Sequence, residues 1–263
     1  MEFRPCIDIH NGKVKQIVGG SLRDEDNAAN ENYVSEKDAV FYANFYKRYH
    51  LKGGHIILLN SSSSPFFEET KRQAVKALRA YPGGLQVGGG ITADNAEEYL
   101  KEGASHVIVT SYVFKDGNIK YENLERLISK VGKEKIVIDL SCRKKDGRYY
   151  IVTDRWQNYT EVELNYRALD EFSAYCDEFL IHAVDVEGKS NGIEEELVAL
   201  IGDFGKIPIT YAGGVHDFQD LEKLKVLGKD KVNVTIGSAL DLFGGNMKWE
   251  DVIEYMRNKK EPT

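Results

Sequence analysis

The chain has 263 residues, 42% hydrophobic and 29% charged, the composition of an ordinary soluble protein with ample material for a core. A net charge of −7 excludes a general nucleic-acid or acidic-membrane binder, which needs a basic face, so any anionic ligand must be held by local devices such as backbone amides. Cys6, Cys142 and Cys176 form no metal pattern, no run approaches the roughly 18 apolar residues of a membrane span, and a strand begins almost at the N-terminus, so a reduced, cytoplasmic protein is expected.

The first strand, Phe3 to Ile9, is a short apolar run that delivers Asp8 near its end. Asn11-Gly12 is a turn signal, and Lys13 to Val18 alternates as a hairpin arm. Residues 19–35 are polar and unpatterned, a long loop of the kind that covers a binding site. Ser35 with Asp38 resembles a helix start, and helical spacing runs to Tyr49.

A repeating pattern follows. Strand His55–Leu59 leads through a serine loop to helix 67–80, and Leu85–Val87 leads through Gly88-Gly89-Gly90 to helix 93–102. His106–Val109 precedes helix 121–131; Ile136–Asp139 is followed by a hairpin-like insertion and helix 161–176. Glu178–Ile181, Ile207–Tyr211 and Lys231–Ile236 precede helices 193–203, 217–227 and 248–257. Short, continuously apolar strands are those of a parallel sheet buried on both faces. Eight such units with short connections predict an α/β fold, a single (β/α)8 TIM barrel spanning residues 1–263 as one domain.

An internal repeat strengthens this reading. Asp8 after strand 1 recurs as Asp139 after strand 5, 131 residues on. Gly89-Gly90 after strand 3 recurs as Gly213-Gly214 after strand 7, and Ser111 after strand 4 as Ser238 after strand 8. Matched pairs in the same order at nearly constant offset indicate two similar half-barrels.

Barrel enzymes place their chemistry at the C-terminal ends of the strands. Glycines there let backbone N–H groups approach an anion, and the next helix N-terminus adds a favourable dipole. Gly213, Gly214, Gly237 and Ser238 form one candidate phosphate site, and Gly89, Gly90 and Ser111 a second. A single Gly-Gly pair could equally be a tight turn; duplication beside small hydroxyl residues favours phosphate. Two such sites on opposite rims imply an elongated, bis-phosphorylated small-molecule substrate. Asp8 and Asp139 would lie between them, where neighbouring carboxylates can separate into acid and base. A strand-end Asp alone would more simply be a helix cap or salt-bridge partner. The six histidines show no metal-ligand spacing, so no metal is expected; His182, at the end of strand 6, points to the mouth as a candidate substrate contact.

The ordered motifs RPCIDIHNGKV, QVGGGI, IDLSCR, TDRWQ, TYAGGV and IGSAL resemble the histidine-biosynthesis barrel isomerases, the phosphoribosylformimino-5-aminoimidazole carboxamide ribotide isomerases, and most of all their eukaryotic branch. The resemblance covers essentially the whole chain. It implies an Amadori rearrangement, aminoaldose to aminoketose, without metal or organic cofactor. It implies Asp8 as the general base at C2 of the sugar and Asp139 as the general acid that opens the ring. Trp156, in the insertion after strand 5, matches the family's tryptophan that stacks on the imidazole carboxamide; Arg143 and Arg155 in that insertion are candidate contacts. Asn60 stands where many relatives have Asp. His182 with Ala183 to Gly188 replaces a bacterial Thr and Asp-Gly, leaving His182 or Asp185 to assist the proton transfers.

The closest rival is the cyclase barrel of imidazole glycerol phosphate synthase. It needs a lysine where this chain has Gln16, and a charged gate for which the strand-start positions Glu2, His55, Ser105 and Glu178 do not supply the expected Arg and Lys. A non-catalytic phosphate-binding barrel and a phosphoribosylanthranilate isomerase are further alternatives. No nucleic-acid or membrane partner is expected, and a monomer is. Residues 19–35 and the strand-5 insertion are expected to close over the substrate.

Overall fold

The computed structural model describes residues 1–18, 21, 29–154 and 156–258. Eight parallel strands form the barrel: β1 Cys6–His10, β2 Gly54–Leu58, β3 Leu85–Gly88, β4 Val107–Val109, β5 Ile136–Asp139, β6 Glu178–His182, β7 Ile209–Ala212 and β8 Val232–Thr235. Each pairs in parallel with the next, for example Ile7 with Ile56, Val87 with Val107, Ile108 with Val137, and His182 with Ala212. The ring closes where Phe3 bridges Val234, with Arg4 N donating to Val234 O at 2.8 Å and Val234 N to Glu2 O at 2.9 Å. Closure leaves no free sheet edge on the ring.

Among the described residues eight α-helices surround it: α1 Ala39–Arg48, α2 Phe67–Ala80, α3 Ala96–Lys101, α4 Tyr121–Val131, α5 Tyr166–Phe172, α6 Glu195–Phe204, α7 Phe218–Leu227 and α8 Trp249–Asn258. The main core lies between strands and helices, because each strand residue facing outward meets an apolar helix stripe; Ile7, Ile56, Val87, Ile138 and Phe179 meet Tyr42, Ala74, Leu78, Leu124 and Leu169 there. A separate small cluster, Ile108, Val137 and Leu180 with Ile57 against it, lies inside the ring. Among the described residues no helix is long and apolar enough to cross a membrane.

The floor of the barrel is polar. Glu178 at the start of β6 pairs with Arg4, accepts from Thr210 Oγ1 at 2.7 Å and from Gln86 Nε2 at 3.0 Å. Both carboxylate oxygens are thereby satisfied, which a buried charge requires. The arginine that the strand-start positions lack is thus supplied by Arg4, just before β1.

Several predicted boundaries move. The helix expected over 161–176 is only α5, because Asn158–Glu163 is the third strand of an antiparallel sheet with Cys142–Lys145 and Arg148–Thr153. Thr160 Oγ1 donates to Ile151 O at 2.9 Å within that sheet, and Asn165 caps α5 by accepting from Ala168 N at 3.0 Å. The expected helix 93–102 begins only at Ala96, and 193–203 shifts to Glu195–Phe204. Asp38, not Ser35, caps α1, accepting from Phe41 N at 2.9 Å; Ser35 instead contacts the Tyr42 hydroxyl at 2.8 Å. Within the expected loop 19–35, Glu31–Val34 pairs as a third strand on the hairpin arm Lys13–Ile17, while residues 19, 20 and 22–28 lie outside the described residues.

Candidate active site

One groove runs across the C-terminal end of the barrel. Its larger lobe, a cavity of about 410 Å³, is lined by Gly89, Gly90, Ser111, Asp139 and Trp156, with Ile57 and Ile108 beneath. The smaller lobe, about 20 Å³, is lined by Gly213, Gly214, Gly237 and Ser238. Asp8, His182 and Glu187 line both lobes and therefore form the waist between them. The two glycine loops, 124 residues apart in sequence, face this one groove.

The glycines are also needed by the backbone. Gly89 and Gly213 have φ of 101° and 121°, and a Cβ on them would stand 2.1 Å from Leu58 O and 2.9 Å from Ala183 O. The tight-turn reading and the anion-binding reading therefore coexist at these positions. At Gly237 the crowding comes from the hairpin arm, since a Cβ would meet Gln16 Oε1 at 2.3 Å.

Each loop serine is engaged by a covering segment. Ser238 Oγ accepts from Asn32 Nδ2 at 3.1 Å, and the same amide donates to Gly188 O at 2.7 Å. Ser111 Oγ accepts from Asp154 N at 3.4 Å. The hairpin and the strand-5 insertion thus reach the two ends of the groove. Trp156, held at a φ of 67°, places its ring centroid 5.5 Å from that of His182. Arg143 does not line the groove: its Nε donates to Asp185 Oδ1 at 2.9 Å and its guanidinium lies 5.7 Å over Tyr159. This pairing engages Asp185 on the insertion and leaves His182 beside Asp139. Arg155 lies outside the described residues.

Asp139 ends β5 as a buried carboxylate. Its Oδ1 accepts from Ser141 N at 2.7 Å and Ser141 Oγ at 2.5 Å, and its Oδ2 lies 3.6 Å from His182 Nδ1. Burial by itself would lift its pKa, but the His182 ring and the two Ser141 donors hold it below the usual carboxylate range. Asp8 differs. Burial, with the Glu187 carboxylate adding to the push and His182 opposing it, raises Asp8 to about 7. Burial opposes a charge on His182 too, yet its contact with Asp139 and the fields of Glu187 and Asp8 outweigh it and lift the ring to about 9. The two aspartates of the repeat thus sit in unlike environments, the condition for separate acid and base roles.

Sequence reasoning missed Glu187, Ser141 and His55 as members of this cluster. Burial raises Glu187, and its Oε2 is buried without a hydrogen-bond partner among the described residues. No spacing signal marks it, because a loop residue five positions past His182 reaches the waist only through the turn of its loop. Ser141 follows Asp139 by two residues and was legible in principle as a strand-end hydroxyl. His216, Asp217 and Asp220 bring possible metal-ligand atoms within 4.8 Å of one another. Two of these side chains already serve α7: Asp217 accepts from Asp220 N and Asp220 from His216 N, each at 3.0 Å.

A family model described as histidine biosynthesis protein matches residues 2–248. A chloroplastic protein of Medicago truncatula is 54% identical over 264 residues, covering 99% of this chain and 83% of its own length. Proteins of Yarrowia lipolytica and Saccharomyces cerevisiae are 45% and 43% identical, each alignment covering at least 97% of both partners. All three relatives are named 1-(5-phosphoribosyl)-5-((5-phosphoribosylamino)methylideneamino)imidazole-4-carboxamide isomerases. With its closed barrel, its duplicated glycine loops and this near-complete match, the chain belongs to the histidine biosynthesis protein family.

Proposed function

We propose that this chain is an isomerase that converts the bis-phosphorylated aminoaldose for which its relatives are named into the aminoketose. The observation that carries the reading is the single groove with a glycine-serine loop at each end and Asp8, His182 and Glu187 at its waist. Each loop would take one phosphate on backbone N–H groups, fixing both ends of the substrate so that the sugar carbons fall at the waist. Asp8 would remove the C2 proton; a carboxylate lifted to about 7 is a stronger base than an ordinary one and is still largely ionised just above neutrality. Asp139 and its partner His182 would serve the acid side, at the ring oxygen. Trp156 would stack on the imidazole carboxamide. These proton transfers call for neither metal nor organic cofactor.

The test is turnover of the bis-phosphorylated aminoaldose by the purified protein beside Asp8→Asn and Asp139→Asn. Conversion without added ammonia or glutaminase, lost by about 10²–10⁴-fold in each variant, supports the reading. Tight binding with no conversion would instead favour a sensor barrel. The Arg4–Glu178 pair gives the cyclase reading a floor arginine, but Gln16 stands at its lysine position and packs against Gly237. Activity that appears only with ammonia would restore the cyclase. We extend the proposal to a cytoplasmic, single-domain monomer, to be checked by fractionation and by light scattering.

A further inference from the structure

We infer that the proton delivered to the sugar ring oxygen is held by the imidazolium of His182, with Asp139 as its ionised anchor rather than as the acid itself. The inference rests on the isomerase reading above and changes the role expected of Asp139.

Hydrogen-bond directions at the Asp139–Ser141–His182 cluster carry it. Ser141 has one hydroxyl hydrogen, and it is used on Asp139 Oδ1 at 2.5 Å. Towards His182 Nδ1, 3.2 Å away, the same oxygen can then only accept, so Nδ1 carries a hydrogen. That hydrogen also faces Asp139 Oδ2 at 3.6 Å. Within this cluster the Asp139 carboxylate therefore meets donors alone: Ser141 N and Oγ on one oxygen, and Nδ1–H on the other. Three donors on one carboxylate favour its ionised form, and a proton on Oδ2 would weaken the attraction of that oxygen for Nδ1–H. The acid proton has no favoured place there.

It has one on His182. With Nδ1 turned to Asp139 and Ser141, Nε2 lies on the opposite side of a ring that lines both lobes of the groove. The groups that face this ring come from several elements: Asp139 from β5, Asp8 from β1, Glu187 from the loop after β6, His55 from β2 and Trp156 from the insertion. Three of them are carboxyl groups that favour a second ring proton. His55, buried and forced down to about 3, stays neutral and adds no competing charge.

The step balances without a further reactant. Nε2–H passes its proton to the ring oxygen, the C1–O bond breaks towards that oxygen, and the amine lone pair forms the C=N bond of the Schiff base. Asp8 then takes the C2 proton, and the C–H electrons form C1=C2 as the C=N pair returns to nitrogen. Asp8 then gives its proton to C1 as the enol O–H proton passes to neutral His182, which leaves the C2 ketone and returns both residues to their starting states.

Two measurements test this. The first is kcat/KM against pH for wild type, His182→Gln and His182→Ala, the last with and without added imidazole. Expected are a wild-type decline as pH rises through about 9, loss of that decline in His182→Gln with kcat lower by about 100-fold or more at little changed KM, and partial rescue of His182→Ala that tracks the imidazolium fraction. The second is 15N-imidazole NMR of wild type, independent of whether the variants fold, where both His182 nitrogens should be protonated at pH 7.5. A neutral His182 in that spectrum overturns the inference, as does His182→Gln that keeps the alkaline decline and kcat within threefold. Wild type that does not convert the aminoaldose removes the isomerase reading and the inference together. Active wild type with an indifferent His182→Gln removes the inference alone.

Discussion

His55 and His182 lie edge to face, 5.7 Å between ring centroids, yet their surroundings shift the two rings in opposite directions. Burial and the neighbouring His182 charge drive His55 down to about 3, while Asp139, Glu187 and Asp8 overcome burial to lift His182 to about 9. The ring lifted is the one beside Asp139, 3.6 Å from its Oδ2. Linkage then gives opposite slopes. An unfolded His55 takes up a proton below about 6.5 that the native site refuses, so its contribution lowers stability as pH falls from about 6.5 towards 3. His182 holds its proton more tightly when folded, so its contribution is complete below about 6.5 and is lost as pH rises through about 9. Urea unfolding across pH 5 to 10 should show, in the wild-type minus His182→Gln difference, a loss on the order of 3 kcal/mol over that alkaline range. A flat difference curve would remove the charge assignment.

The rate profile should be bell-shaped. Asp8 acts as base only when ionised, so kcat/KM should climb as pH rises through about 7 and fall again near 9, the apparent values belonging to the cluster as a whole. Glu187→Gln removes a like charge beside Asp8 and should move the acid limb to lower pH. An acid limb that stays in place in Glu187→Gln would show that the two carboxylates do not communicate.

At the floor, Arg4→Met should destabilise the protein by about 3–5 kcal/mol, because it leaves the Glu178 carboxylate buried without its cation. Replacing both, Arg4→Met with Glu178→Leu, should recover much of that loss. Denaturant midpoints of the three proteins measure it, and an additive double variant would mean that the pair does not interact.

Asn32 ties the hairpin to the loops after β6 and β8 by donating to Gly188 O and Ser238 Oγ. Asn32→Ala, an exposed change, should leave Tm within about 2 °C of wild type while raising KM several-fold, since one end of the groove loses its cover. Unchanged KM with faster hydrogen exchange over Glu31–Val34 would separate the hairpin's stability from substrate binding.

Much of the architecture was legible in local pattern. Continuous apolar runs bounded by glycine or a polar turn mark buried parallel strands, and all eight appear where those runs occur. The insertion was harder. Asn158–Glu163 alternates and carries Thr160 and Val162, a strand signal that the adjoining helical stretch of α5 obscured. Arg143 looked like a ligand contact because its partner Asp185 lies 42 residues away, and no local pattern predicts that they meet. Glu187 was invisible for the same reason.

The chain's own pattern was enough for the order of its βα units, the half-barrel repeat, the two glycine loops and the pair Asp8 and Asp139, since each is a property of a few neighbouring residues. Folding decided what those groups are chemically. Charge state depends on burial and on partners from other strands, so two aspartates equivalent in the repeat become unlike once His182, Ser141 and Glu187 surround them. Asp8, close to its own titration at neutral pH, and Asp139, held ionised by its donors, differ through contacts that only the closed barrel brings together.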